Sequence, residues 1–139
     1  MTTQYRSAGP LCFQERVYAW AVECFGTAVA DDMVERTFRF LEEALELSQS
    51  NGCTREQAHR LVDYVYDRPA GEAGQEVGGV MITLAVLCEA AGIDLSGESE
   101  REYARITSPA VMDKIRKKQA MKRGVVSHGA EAALPGGAE

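Results

Sequence analysis

The chain has little proline (four in 139 residues), a single tryptophan, and almost no stretch in which apolar and polar residues alternate. Missing alternation argues against strands, while plentiful Ala, Leu and Glu favour helix. The four cysteines, Cys12, Cys24, Cys53 and Cys88, form no CxxC pair and have no histidine at ligand spacing. A zinc site and a redox motif are therefore unsupported, and the thiols read as the reduced, mostly buried cysteines of a cytoplasmic protein. No basic-plus-apolar leader opens the chain. Val77 to Ile93 is the most apolar stretch, but it is short for a bilayer span and contains Glu89. It reads as a buried core helix, with no membrane partner expected.

Positive charge is also missing from most of the chain. Residues 1–113 carry 9 Lys+Arg against 19 Asp+Glu, whereas residues 114–123 hold six basic residues and no acid. With a net charge of −6, this balance argues against general nucleic-acid binding. It fits a molecule that holds cations in one place and phosphates in another. The length suits one domain. The composition divides it into a flexible N-terminus over 1–10, a helical domain over 11–123, and a Gly/Ala/Pro-rich disordered tail over 124–139.

Apolar periodicity predicts helices from about Leu11 to Phe25, from Asp31 or Asp32 to about Ser50, from Arg55 to about Tyr66, from around Glu72–Gln75 to Ala91, and from Ser108-Pro109 to Lys122. Thr54 and Gln57 form a capping box, and Gly26, Gly52 and Gly92 are stops. The expected fold is all-α, a bundle of four to five helices. The fourth helix is apolar on nearly every side and one short chain can hardly cover it, so self-association should complete the bundle. Gly78 and Gly79 inside it cost about 1 kcal/mol each relative to alanine. Such a pair points to close approach of another backbone or a ligand and draws attention to Glu76.

Three sets of residues are candidates for chemistry, and each admits a plain reading beside the functional one. Glu42, Glu43 and Glu46 share the edge of an apolar helical stripe, where repulsion between them needs an offset. Arg39 could supply it through local ion pairs, or a hard divalent cation could. Lys114, Lys118 and Lys122 repeat at i, i+4, i+8 on one face, flanked by Arg116 and Lys117. They form either a solvated basic helix end or a phosphate clamp. Trp20 either packs in the core or at a subunit contact, or stacks on a nucleobase. His59 reads as a surface histidine, and His128 lies in the tail without an expected catalytic role.

With these residues in place, the chain resembles the MazG-like all-α nucleoside triphosphate pyrophosphohydrolases over about residues 31–122. That family carries EExxE on one helix and ExxD on a later one. Glu42, Glu43 and Glu46 supply the first motif, and Glu76 opens the second, with Gly79 standing where the family has aspartate. The resemblance implies a homodimer or homotetramer that cleaves a nucleoside triphosphate into monophosphate and pyrophosphate. Mg²⁺, or Mn²⁺ in its place, would be held by Glu43, Glu46 and Glu76 with Glu42 as further ligand. It makes Glu42 and Glu46 the catalytic carboxylates and assigns Lys114, Lys118, Arg39 and Trp20 to the nucleotide. The alternative is a non-catalytic helical module that binds a nucleotide or a protein and keeps a degenerate metal site because of Gly79.

Overall fold

The computed structural model describes residues 9–129, with side chains as far as Met121. The expected flexible N-terminus falls outside the described residues over 1–8, and the tail does so over 130–139. All seven elements among the described residues are helices: α1 Phe13–Phe25, α2 Thr27–Ala30, α3 Met33–Ser50, α4 Arg55–Tyr66, α5 Ala73–Ala91, α6 Leu95–Ile106 and α7 Pro109–Gly129. The five helices expected from periodicity are α1, α3, α4, α5 and α7. The count exceeds the expected four to five because α2 is one turn and α6 has few apolar residues to announce it. α6 is instead polar along most of its length and carries an Arg105–Glu102 pair at i, i+3. α7 runs on to Gly129, past Gly124 where periodicity ends.

The chain divides into two compact units, Met1–Ala30 with Ser99–Glu139, and Asp31–Glu98. In the first unit, α1 opens with the Glu15 carboxylate accepting from the Cys12 N–H at 2.8 Å. It closes at Gly26, whose φ of 80° favours a residue without a Cβ. Ala21, Cys24, Ala30 and Met112 are the buried apolar residues described in this unit, and Gln119 is buried as well. α7 is tied to the end of α1 by Arg116. Its Nε donates to the Cys24 carbonyl at 2.9 Å and its Nη2 to the Glu23 carbonyl at 3.2 Å. These are last-turn carbonyls that the helix itself leaves unsatisfied, and a cation suits them. Pro109 begins α7 as expected, but the Ser108 hydroxyl donates back to the Arg105 carbonyl at 3.0 Å instead of capping. At the other end of α1, the Arg16 guanidinium lies 4.8 Å from the Tyr103 ring centre and 5.4 Å from that of Phe13, and pairs with Glu100.

The second unit owes its helix limits to local chemistry. Asp32 Oδ1 accepts from Val34 N and Glu35 N, both at 3.1 Å. The Thr54–Gln57 capping box is reciprocal, at 2.8 and 3.3 Å. At α5 the Glu72 carboxylate accepts from Gln75 N at 2.8 Å. The Gly74 and Gln75 amides hold its carboxyl below the ordinary 4.5. Gly92, at φ 68°, ends the helix.

Burial in this unit departs from expectation. Glu35 is the only buried residue of α3, α4 has none, and α5 has Cys88 alone. Phe38, Leu41 and Leu45 of α3, Leu61, Val62 and Val65 of α4, and Val77, Ile82 and Val86 of α5 are all exposed. α5 is therefore not buried by its own chain. By length and composition it is also apolar enough to cross a membrane.

Two outcomes follow from these contacts. Arg116→Met is expected to lower stability by about 1–2 kcal/mol, read by chemical denaturation, because two carbonyls lose a charged donor. Lys118→Met, on the same helix, should leave it unchanged. The Glu72 cap should support α5 fully above the unfolded carboxyl's 4.5 and be lost as pH falls through the lower folded value. Helicity followed by circular dichroism from pH 6 downward should thus show an acid-side loss that Glu72→Gln removes.

Candidate functional site

α3 carries the acidic motif, and its local ion pairs divide the glutamates into two kinds. Arg39 stands between Glu35 and Glu42, one turn away on either side. Its Nε lies 3.1 Å from Glu35 Oε1, and its Nη1 pairs with Glu42. Arg36 approaches the same Glu35 oxygen at 3.6 Å. Glu35 is only 6% exposed, and burial of a carboxylate requires such partners. It sits at the head of the motif, yet sequence pattern alone did not single it out. A charged residue inside a polar-edged stripe gives no sign that it is the buried one.

Glu42 is thus neutralised by Arg39, the local ion pair that the spacing allowed. Glu43 and Glu46 have no such pairing among the described residues. Glu43 is exposed, one step round the helix. Glu46 and Glu42 line a hollow of about 530 Å³ between α3 and α4, floored by Phe38, Leu41 and Leu45. Arg55 and His59 line the same hollow from the first turns of α4. Neither was chosen from sequence, which gives His59 as a surface histidine. The carboxylates that line the hollow with them come from α3, and the only available signal was the i, i+4 spacing of Arg55 and His59.

Glu76 lies elsewhere in the same unit. It lines a second hollow of about 770 Å³ with Tyr66, Arg68 and Gly71. Its carboxylate end lies against Gly71, with Oε1 2.0 Å from where a Cβ on that glycine would stand. Arg68 lies 4.1 Å from the Tyr64 ring centre and donates from Nε to the Tyr64 carbonyl at 3.1 Å. Gly79 faces open space, with no atom within 4 Å of an added Cβ. The described residues contain no group of three His, Cys, Asp or Glu side chains placed to share a metal ion. Glu42 and Glu46 are brought together; Glu76 does not join them in such a group.

The remaining candidates belong to the first unit. Lys114 and Lys118 are exposed on α7, and Lys122 lies beyond the described side chains. Trp20 donates its indole N–H to the Ile106 carbonyl at 3.1 Å and meets Phe25 edge-on at 5.6 Å. Both its polar edge and one face are thereby occupied by packing. No family model, no curated protein and no solved structure matches this chain.

The Arg39 pairing makes a direct expectation. Arg39→Met should destabilise the protein by about 1–3 kcal/mol in urea unfolding, since it removes the cation paired with buried Glu35. Glu43→Gln, with nothing paired to it, should change stability by less than about 0.5 kcal/mol.

Proposed function

We propose that this chain is a nucleotide pyrophosphohydrolase, which adds water to the α-phosphorus of a nucleoside triphosphate and expels pyrophosphate. The reading has the protein in the cytoplasm, as a homodimer or homotetramer whose helices complete a bundle between copies. The observation that carries it is the α3/α4 hollow, whose lining includes Glu42 and Glu46 from α3 and Arg55 and His59 from α4. Carboxylates and an arginine lining one hollow suit a polyanionic substrate with its counter-cation. The EExxE resemblance adds the reaction.

Mg²⁺, or Mn²⁺, is the expected cofactor, and when bound it supplies charge neutralisation and a more acidic water. Carboxylates match its preference for oxygen donors in kind. They do not match in number within one chain, where no three gather among the described residues. The residues of the chain have clear tasks without it. Arg55 offers a planar fork of donors to phosphate oxygens. Glu46, free of the Arg39 pairing that occupies Glu42, is the base toward which an attacking water would give its proton. Arg39 acts by holding Glu42 in place, while Lys114 and Lys118 are assigned to phosphate by the resemblance alone. Trp20, engaged with Ile106 and Phe25, supports packing more than base contact.

A second reading is favoured by Gly79 and by the Arg39–Glu42 pair: a helical nucleotide-binding module with a degenerate site. The two are separated by pyrophosphate release from a panel of ribo- and deoxynucleoside triphosphates, with and without Mg²⁺. The enzyme should release pyrophosphate only with the cation, and Glu46→Gln should reduce release at least a hundredfold. Gly79→Asp has room for its side chain and should raise it. Silence of the wild type with activity in Gly79→Asp would identify a decayed site. Silence of both, in folded protein, would sink the catalytic reading.

A further inference from the structure

We infer that the hollow between the end of α4 and the start of α5 binds a guanine base, which stacks on Tyr66 and is read on two edges by Arg68 and Glu76. Its volume of about 770 Å³ falls within the range of about 300–1,000 Å³ that small-molecule sites occupy. Arg68 and Glu76 carry opposite charge and line this one hollow, yet they do not pair with each other. The Arg68 guanidinium is held in place by its own chain. Its Nε donates to the Tyr64 carbonyl at 3.1 Å, and it lies 4.1 Å from the Tyr64 ring centre. Both Nη atoms are left without an acceptor among the described residues, as a planar fork of donors. The Glu76 carboxylate likewise has no hydrogen bond or ion pair among the described residues, and its end lies against Gly71. Tyr66, 82% exposed, brings an uncovered ring to the same hollow.

These three groups select the ligand by what each rejects. A simple anion such as phosphate suits Arg68 but meets the Glu76 carboxylate in the same hollow. A metal cation suits Glu76 but meets Arg68, and the described residues hold no group of three side chains placed to share one. Both are satisfied by a neutral or dipolar molecule with acceptors on one edge and donors on another, and Tyr66 favours a flat one. Guanine has that set. Its O6 and N7 are the acceptor pair that an arginine fork binds. Its N1–H and N2–H form a donor pair for the two oxygens of a carboxylate. The other bases lack such a donor pair: adenine and cytosine have one amino group each, and uracil and thymine one ring N–H to offer. Unpaired bases commonly stack on an aromatic ring while their edges are hydrogen-bonded. A free amino acid is the poorer occupant, since its charged head satisfies Arg68 and Glu76 but gives Tyr66 no flat partner. This assignment gives Glu76 a task apart from the α3/α4 hollow, and it does not rest on the proposed reaction.

The experiment is calorimetric titration of the full chain with guanosine, in EDTA, beside adenosine, inosine and 7-deazaguanosine. Guanosine has no phosphate and EDTA removes the cation, so the outcome is separate from that of the pyrophosphate assay. Guanosine should bind once per chain. Inosine lacks the N2 amino group and 7-deazaguanosine the N7 acceptor. Each of these, and adenosine, should bind more weakly by at least about tenfold, as for one lost hydrogen bond to a charged group. In the protein, Glu76→Gln and Arg68→Met should each weaken guanosine by at least about tenfold. Tyr66→Ala should weaken it as well, and Tyr66→Phe should keep wild-type affinity, because the ring is retained. The ligand series carries the test by itself if a variant fails to fold. GMP should bind as guanosine does, since Arg68 is the one cation lining the hollow among the described residues and the base engages it. A GMP affinity far above that of guanosine overturns the inference, because Arg68 then serves a phosphate. So does the absence of guanosine binding at millimolar concentration, equal affinity for adenosine, or displacement of guanosine by a free amino acid such as glycine. Guanosine binding that survives both Glu76→Gln and Arg68→Met in folded protein overturns it too.

Discussion

Apolar surface that one chain cannot cover is the constraint behind this structure. α5 is apolar nearly all round, and a helix of that kind needs neighbours on every side. The second unit supplies so few that only Cys88 of the whole helix is buried. The same holds for α3 and α4, whose stripes are regular and well capped yet face outward. Stable helix ends and unsatisfied helix faces thus coexist. Capping is settled by residues within four positions of each other, and covering a face is a long-range matter.

Charge is organised by the same division between local and distant. Along α3, Arg39 resolves part of the acidic crowding by reaching one turn back to Glu35 and one turn forward to Glu42. What remains is a pair of carboxylates, Glu43 and Glu46, whose repulsion no arginine of that helix relieves. Glu46 lines a hollow together with Arg55 and His59 of the next helix. Phe38, Leu41 and Leu45, which line that hollow, are also among the exposed apolar residues of the unit.

In the first unit, two residues with attractive functional readings also join distant segments. Trp20 spends its indole N–H on the Ile106 carbonyl, and Arg116 spends its guanidinium on the last carbonyls of α1. Each joins segments more than eighty positions apart. Neither pairing has a signature in local spacing, which is why the tryptophan looked available for stacking and the arginine for phosphate.

The amino-acid sequence by itself determined the all-helical class, the five helices signalled by apolar periodicity, the Thr54–Gln57 box, and the glycine stops at 26 and 92. It also determined that Glu42, Glu43 and Glu46 lie close together, because i, i+3 and i, i+4 neighbours meet on any α-helix. α6 escaped it, since few of its residues are apolar and Leu95, Tyr103, Ala104 and Ile106 stand among charged ones. Only the tertiary structure decided which carboxylate is buried, which is paired and which faces a hollow. It likewise decided that Arg55 and His59 share that hollow and that Glu76 lies in another. Those outcomes depend on how loops such as 51–54 and 67–72 direct one helix toward the next, and periodicity carries no information about direction. Local energies shape each helix; long-range contacts, few in one chain, assign each side chain its surroundings.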